Sequence, residues 1–501
     1  MSSKAISWAV VAILVVPFVY WQYTNYAHNS MVNANLGNHH DRDAQVAAVS
    51  ELIDKKQLGD VLPTTSPTVH FWIADALQTI AKDTSHKDRS TEALNQLVSL
   101  MKDPSEDTRG KAQRELVELG ATAIPGVIPA LGDGDAHARK GAVSVLVRIG
   151  QASIPALVKA IQTQAPQRSA AIDALVGLAP APTPEMLKLL QDKDKDVRSA
   201  AATYFGNTAM IPGMKQTQSE DLLLGLLKDK DVRPAAMRAE GLLGDPRALG
   251  EITKALIAPQ DADNRRTAIV ALGDMRAVAT APQIIPFLED QDPDIQSVAA
   301  VALHSMDAGA IPALTQGFAN GSALTRKGVA ESLQGETSGS AIHLLTTALH
   351  DTDPGVRQSA AESLGARDSS AAVAPLIAAL TDPSPDVAEA AETSLSLIGA
   401  PAIQPLVGTF SSAEAAIPGR PMAEVVAPYY ASKALVLIGS DAAPAIIAAA
   451  QSGSVAARTW ALVTLADLRP AAAKPVLEQI AASGAPALRW FASDALRHYQ
   501  V

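Results

Sequence analysis

The chain has 501 residues, too many for one compact core, so several domains or a repeat array are expected. It contains no cysteine, which excludes a disulfide framework, a thiolate metal site and a cysteine nucleophile, and its 4% aromatic content beside abundant Ala, Leu and Val favours closely packed helices over a β-rich fold. The net charge of −11, with no long run of Lys or Arg, argues against a phosphate-binding channel, so nucleic acid is not an expected partner.

Residues 1–4 read as a short cytoplasmic tail, and residues 5–23 as a single transmembrane signal-anchor helix. The latter nineteen residues carry no charge and span roughly 28 Å as a helix, close to the thickness of a bilayer's hydrocarbon core. Trp8 lies near one end and Tyr20, Trp21, Tyr23 and Tyr26 crowd the other, as interfacial aromatic belts do. Pro17 is tolerable in such a helix. Lys4 and the amino terminus precede it and no charge follows until Asp41, which favours a cytoplasmic N-terminus and an extracytoplasmic remainder, periplasmic in a bacterium. The competing readings are a cleaved signal peptide, whose apolar core should be shorter, and a buried soluble helix. Residues 24–40 are polar and rich in Asn and read as a linker between bilayer and folded array. His39, His40 and Asp41 are adjacent with no fourth ligand nearby, so no metal is expected there.

From residue 41 to 501 one phrase returns, clearest in Val356-Arg357-Gln358-Ser359-Ala360-Ala361-Glu362-Ser363-Leu364-Gly365. Its Arg slot is filled in order by His70, Arg109, Arg139, Arg168, Arg198, Arg233, Arg265, Gln296, Arg326, Arg357, Ala388, Pro428, Arg458 and Arg489. Seven residues after each slot the residue is apolar in every copy but one, the exception being Glu240. A period near thirty residues is the signature of a stacked repeat array. Each unit predicts two helices. The first often opens on proline, as at Pro125, Pro155, Pro312 and Pro375, where the missing N–H costs nothing. A polar turn follows whose Asp can cap the second helix, and that helix commonly ends at glycine, as at Gly150, Gly244, Gly399 and Gly439. One pair cannot bury its apolar face alone, so neighbouring pairs must stack.

The phrase resembles the short HEAT-like repeats of the phycobilisome-lyase type, and Leu243-Gly244-Asp245-Pro246-Arg247-Ala248-Leu249 is close to that family's inter-repeat turn. The resemblance covers residues 41–499. It implies an all-α chain: an armadillo-like α-solenoid of about fourteen HEAT-like helix pairs, preceded by the one transmembrane helix. It also implies that the recurrent Asp and Arg are structural, bonding within and between layers. The sharper alternative, a row of ten Arg gripping a polyanion, runs against the acidic balance.

Departures from the pattern point to function more than the repeat does. Three intervals are long. One contains residues 82–89, expected to be a solvated loop; one lies around residues 206–219; the longest holds residues 411–421. Ile417 and Arg420 in that third insertion, with Tyr429 and Tyr430 just after it, are candidate partner contacts. Trp460 and Trp490, two and one positions after their slots, are further candidates, weighed against a packing role. Glu240 is read as displaced by a locally rotated helix, the alternatives being a paired buried acid or a functional one.

Enzyme constellations are missing: there is no HExxH, no Gly-rich phosphate loop and no GxSxG, and no His belongs to a His-Glu pair. The iron motifs of deoxyhypusine hydroxylase therefore do not carry over. The alkylpurine glycosylases of HEAT-like fold need a basic channel, and a bilin lyase does not suit a membrane anchor. The expectation is a non-enzymatic, membrane-anchored scaffold or assembly factor that binds protein along its solenoid surface. The alternatives are a structural subunit of a membrane complex, or a lyase or hydroxylase-like enzyme. No cofactor, metal or small-molecule ligand is expected.

Overall fold

A computed structural model describes residue 36 and residues 41–163, 165–181, 183–212, 217–257, 261–365, 369–411 and 426–499. The expected membrane helix at 5–23 and the candidates Ile417 and Arg420 lie outside these residues. Leu36 is the one described residue of the 24–40 linker. It is buried, and its carbonyl accepts a hydrogen bond from Gln45 Nε2 at 2.7 Å. At that point the chain already belongs to the core, a correction to its reading as tether throughout.

The described residues are all-helical, with no strand among them. Each of the fourteen slots falls on its own helix, from His70 on Pro67–Ala81 and Arg109 on Glu106–Leu119 to Arg489 on Pro486–Arg497. Layers are numbered here by that slot order. Two compact units divide at Leu243 and Gly244. The first carries layers 1 to 6 and the second layers 7 to 14. Within each unit the second helix of a layer packs on the second helix of the next, and the first helices fill the spaces between. Neither half of a layer could stay folded alone, because its apolar face is covered only by its neighbours.

The apolar position seven residues after each slot is what closes the stack. Leu77, Leu116, Leu146, Leu175 and Phe205 are enclosed in the first unit, as are Leu272, Leu303, Leu333, Leu364, Leu395, Leu435 and Leu465 in the second. Leu496, in the last described layer, is half-buried, since it has a neighbour on one side only. Glu240 occupies the equivalent position of layer 6 and is fully buried, with Ala236, Met237, Ala239 and Gly241 buried around it. The helix is therefore in register and the expected rotation does not occur.

Local chemistry sets the element ends. Asp135, Asp292 and Asp353 accept backbone N–H groups at the start of their helices, at 2.7–3.2 Å. Gly150, Gly399 and Gly439 end theirs at φ +86°, +78° and +85°, a region open to glycine at no steric cost. Two local expectations need correction. Lys87, Asp88 and Arg89 of the expected loop form the first turn of the helix Lys87–Ser99. Pro375 sits inside Ser370–Ala379 rather than at its first turn, leaving the carbonyl four residues earlier, on the exposed Ala371, to water.

Three helical stretches, Glu106–Gly132, Ala136–Thr163 and Val426–Ser452, are apolar and long enough by composition to cross a membrane. Each, however, is interrupted at a positive-φ glycine (Gly120, Gly150 and Gly439), so no uninterrupted α-helix in them exceeds 14 residues. Fourteen residues reach about 21 Å, short of a hydrocarbon core of about 30 Å.

Candidate functional site

The slot side chains show what the recurrent phrase does physically. Arg109 Nη1 donates to the carbonyls of Asp103 and Pro104 at 2.7 and 2.9 Å, and Arg139 Nη1 to those of Asp133 and Gly134 at 2.6 and 2.9 Å. Arg198 and Arg357 repeat the arrangement on the turns of their own layers. In several layers the other side of the guanidinium reaches the turn Asp of the following layer. Arg198 meets Asp229 at 2.5 Å, Arg326 grips Asp351 at 2.6 and 2.8 Å, and Arg357 grips Asp382 at 2.7 and 2.9 Å. The same Asp accepts a backbone N–H two residues on, as Asp351 does from Asp353 at 2.9 Å. Gln296 mimics the first half of this rung by donating to the Asp290 carbonyl at 2.6 Å. His70 mimics both halves, facing the Leu62 carbonyl and the Asp103 carboxylate.

The arginines are thus engaged inside the fold, in support of their structural reading. Charge follows geometry: the hydrogen bond from Arg326 holds the Asp351 carboxyl below its ordinary value, and Arg198 does the same for Asp229.

The ladder is interrupted after Asp382 and resumes only in part, where Arg458 Nε donates to the Ala450 carbonyl at 2.8 Å and Arg489 Nε to that of Gly484 at 2.6 Å. Layers 11 and 12, on Pro385–Ile398 and Val426–Ile438, have Ala388 and Pro428 in the slot. A different cluster stands there. Tyr429 and Tyr430 meet edge to face with ring centroids 5.2 Å apart. Lys433 Nζ lies 4.9 Å from the Tyr429 centroid and 5.8 Å from that of Tyr430. Its distance to Glu392 Oε2 is 4.0 Å, an ion pair but beyond hydrogen-bond length. Glu392 is only 8% exposed, and its Oε2 has no hydrogen-bond partner among the described residues. Burial pushes its carboxyl above the ordinary value, Lys433 opposing. Burial works against the Lys433 charge, but the Tyr429 hydroxyl and Glu392 outweigh it and hold the ammonium above its ordinary value.

The candidate residues therefore separate. Tyr429 and Tyr430 are half-buried and share one site. Trp460 is fully enclosed and stacks on Phe410 with centroids 6.4 Å apart. It is core, and as a partner anchor it is corrected. Trp490 is 49% exposed, against Phe491, two layers beyond the tyrosines. Sequence reasoning missed Glu392 and Lys433. The signal was available four residues after the slot, where Ala300, Ala330 and Ala361 in the three preceding layers give way to Glu392.

Two grooves also open in the second unit. One of about 510 Å³ lies along Val301, Leu324, Lys327 and Glu331, and one of about 700 Å³ along Phe318, His343 and Thr347. Among the described residues no group of three His, Cys, Asp or Glu could hold a metal ion.

The HEAT-repeat family profile matches residues 94–176, 183–262, 250–334 and 339–417. No curated protein matches by sequence. Among solved structures, that of Kap95p with RanGDP aligns at 12% identity and a TM-score of 0.45, over 90% of this chain and 69% of the other. Importin beta in an ammonium sulfate condition aligns at 13% and 0.39, over 95% and 70%. Kap121p bound to Pho4p aligns at 11% and 0.40, over 94% and 65%.

Proposed function

This chain belongs to the HEAT-repeat family, and from that premise we propose that it is a membrane-anchored, non-enzymatic scaffold or assembly factor whose solenoid surface binds protein. The observation that carries the reading is the interruption of the arginine ladder at layers 11 and 12. There a self-satisfied structural rung is replaced by two half-buried tyrosines, a lysine and a buried carboxylate whose Oε2 lacks a hydrogen bond among the described residues. Such a cluster does nothing for stacking that an Ala and an Arg would not do better, so its chemistry is read as directed outward. The 411–421 insertion with Ile417 and Arg420, and the exposed Trp490, are placed in the same partner-contacting role. The short period and the 243–249 turn support reading the layers as repeats of the phycobilisome-lyase type. Residues 5–23 are taken as the anchor, with the solenoid on the extracytoplasmic side.

The test is affinity purification from detergent-solubilised membranes with the wild-type chain and a Tyr429→Ala, Tyr430→Ala double variant. A partner recovered by the first and lost from the folded second supports the reading. Full recovery by both sinks it, and a partner held permanently at fixed stoichiometry makes the chain a structural subunit instead. Retention in membranes through alkaline carbonate washing tests the anchor; a mature N-terminus near His28 or Asn35 would refute it.

A further inference from the structure

The ion pair between Glu392 and Lys433 is incomplete in a particular way. The ammonium stands 4.0 Å from Oε2, and that oxygen, in a residue 8% exposed, has no hydrogen bond among the described residues. A buried carboxylate oxygen left so is destabilising, the more when it is charged, and the 4.0 Å pair with Lys433 relieves it only in part. Glu389, exposed on the same helix one turn earlier, contributes a second negative charge that Tyr430, Glu392 and Lys433 all feel. With Glu389 and Glu392 set against one ammonium, the formal charge here is −1. Beside them stand two tyrosine rings set edge to face, so that their faces point in different directions. Carboxylates beside aromatic faces are the surroundings a guanidinium group prefers, because it bonds through its edge while stacking through its plane.

We propose that Glu392, Tyr429 and Tyr430 form a receptor for an arginine side chain presented by a protein partner, with Glu389 adding to the negative field and Lys433 holding the place until the partner arrives. A guanidinium laid on the Tyr430 ring would supply Glu392 Oε2 with the donor that Lys433 stands too far away to give. Its planar fork matches a carboxylate edge-on, which a lysine's point charge cannot reproduce. Lys433, 45% exposed at its side chain and held by the rings, the Tyr429 hydroxyl and a long 4.0 Å ion pair, can swing out to water as the guanidinium enters. Glu392 is then retained because it recognises, although the Ala of the preceding layers would stack at lower cost.

This proposal rests on the reading of layers 11 and 12 as a partner-facing surface, and the direct experiment separates the two. The full chain in detergent is titrated, at about 150 mM salt, with labelled (Gly-Ser-Arg)₃ peptide and with its lysine and citrulline counterparts. Fluorescence anisotropy reports binding. The arginine peptide should bind about tenfold more tightly than the lysine peptide, and the citrulline peptide should not bind. Glu392→Gln, which keeps the side-chain volume, and Tyr430→Ala should each weaken it by about tenfold or more, whereas Lys433→Ala should tighten it. Glu362→Gln makes the same charge change on layer 10 and should leave it unaltered. Equal affinity for the arginine and lysine peptides, or equal effects of Glu392→Gln and Glu362→Gln, would mean diffuse attraction to an acidic protein and overturn the proposal. If the peptide fails while the Tyr429→Ala, Tyr430→Ala variant still loses its cellular partner, the guanidinium chemistry falls and the interface stands.

Discussion

Arg357 donates through Nε and Nη2 to the two oxygens of Asp382, at 2.7 and 2.9 Å, while its Nη1 donates to the carbonyls of Asp351 and Thr352 in its own layer. One side chain thereby ties its own turn to that of the next layer, and both side chains are largely shielded from water. Replacing Arg357 with Ala should cost about 2–4 kcal/mol, since it strands a shielded carboxylate and frees two turn carbonyls. Hydrogen exchange should speed up in the helices Pro354–Ser363 and Pro385–Ile398 before it does elsewhere in the second unit. Uniform loosening of layers 7 to 14 would contradict a ladder of local rungs.

The same rungs predict an acid limb in stability. Asp351 and Asp229 are held below the ordinary value of 3.8 by Arg326 and Arg198. A carboxyl whose folded value is depressed adds stability above its unfolded value, and loses it as pH falls through the folded one. These two rungs should therefore contribute no pH dependence between about pH 5 and pH 8, and stability should drop below about pH 4. In Arg326→Gln, Asp351 loses the hydrogen bond that depresses it, so the loss of melting temperature between pH 5 and pH 3 should be smaller than in the wild type. An equal or larger loss would exclude the rung as its source.

The sequence shows the layers far better than it shows the site, and the reason is physical. Stacking imposes one requirement at each period, so Leu364 and its equivalents announce themselves by spacing alone. Arg slots announce themselves because layer after layer needs a donor for the carbonyls of its turn. Glu392 and Lys433 satisfy no periodic demand and lie 41 positions apart, joined only by the adjacency of two helices. Spacing left Trp460 and Trp490 open between packing and partner contact: Trp460, two residues after its slot, points inward onto Phe410, while Trp490, one residue after its slot, points outward. A single residue of helical phase separates core from surface there. Pro375 misled in the same way: its residue type suggested a helix start, but the helix begins five residues earlier, at Ser370.

Glu392 should be a stability liability at neutral pH. Burial raises its carboxyl above the ordinary value, so the folded state holds its proton more tightly than the unfolded state does. With that sign, its contribution declines as pH rises through the window above the ordinary value of 4.5. Glu392→Gln should accordingly raise the melting temperature at pH 7 and leave it nearly unchanged near pH 4. Destabilisation at pH 7 would show that Lys433 more than compensates for the burial.

Two glycines in the second unit test how closely its helices approach. Gly273, in Ala262–Asp274, packs so near the helix Pro293–Ser305 that a Cβ built on it would lie 2.8 Å from Ala302 Cα and 2.9 Å from Ala302 Cβ. The obstructing atoms are backbone and the first carbon of a short side chain, which cannot rotate away, so layers 7 and 8 would have to separate. Gly273→Ala should cost about 1–3 kcal/mol despite the better helix propensity of alanine. Gly408, in Ala400–Thr409, is also helical, but a Cβ there meets nothing within 4 Å. Gly408→Ala should therefore stabilise by about 0.5–1 kcal/mol, since only the propensity and the unfolded-chain entropy change. Measured side by side by urea unfolding, the pair should shift in opposite directions. A shift of the same sign for both would mean that the contact between Gly273 and Ala302 is looser than 2.8 Å implies.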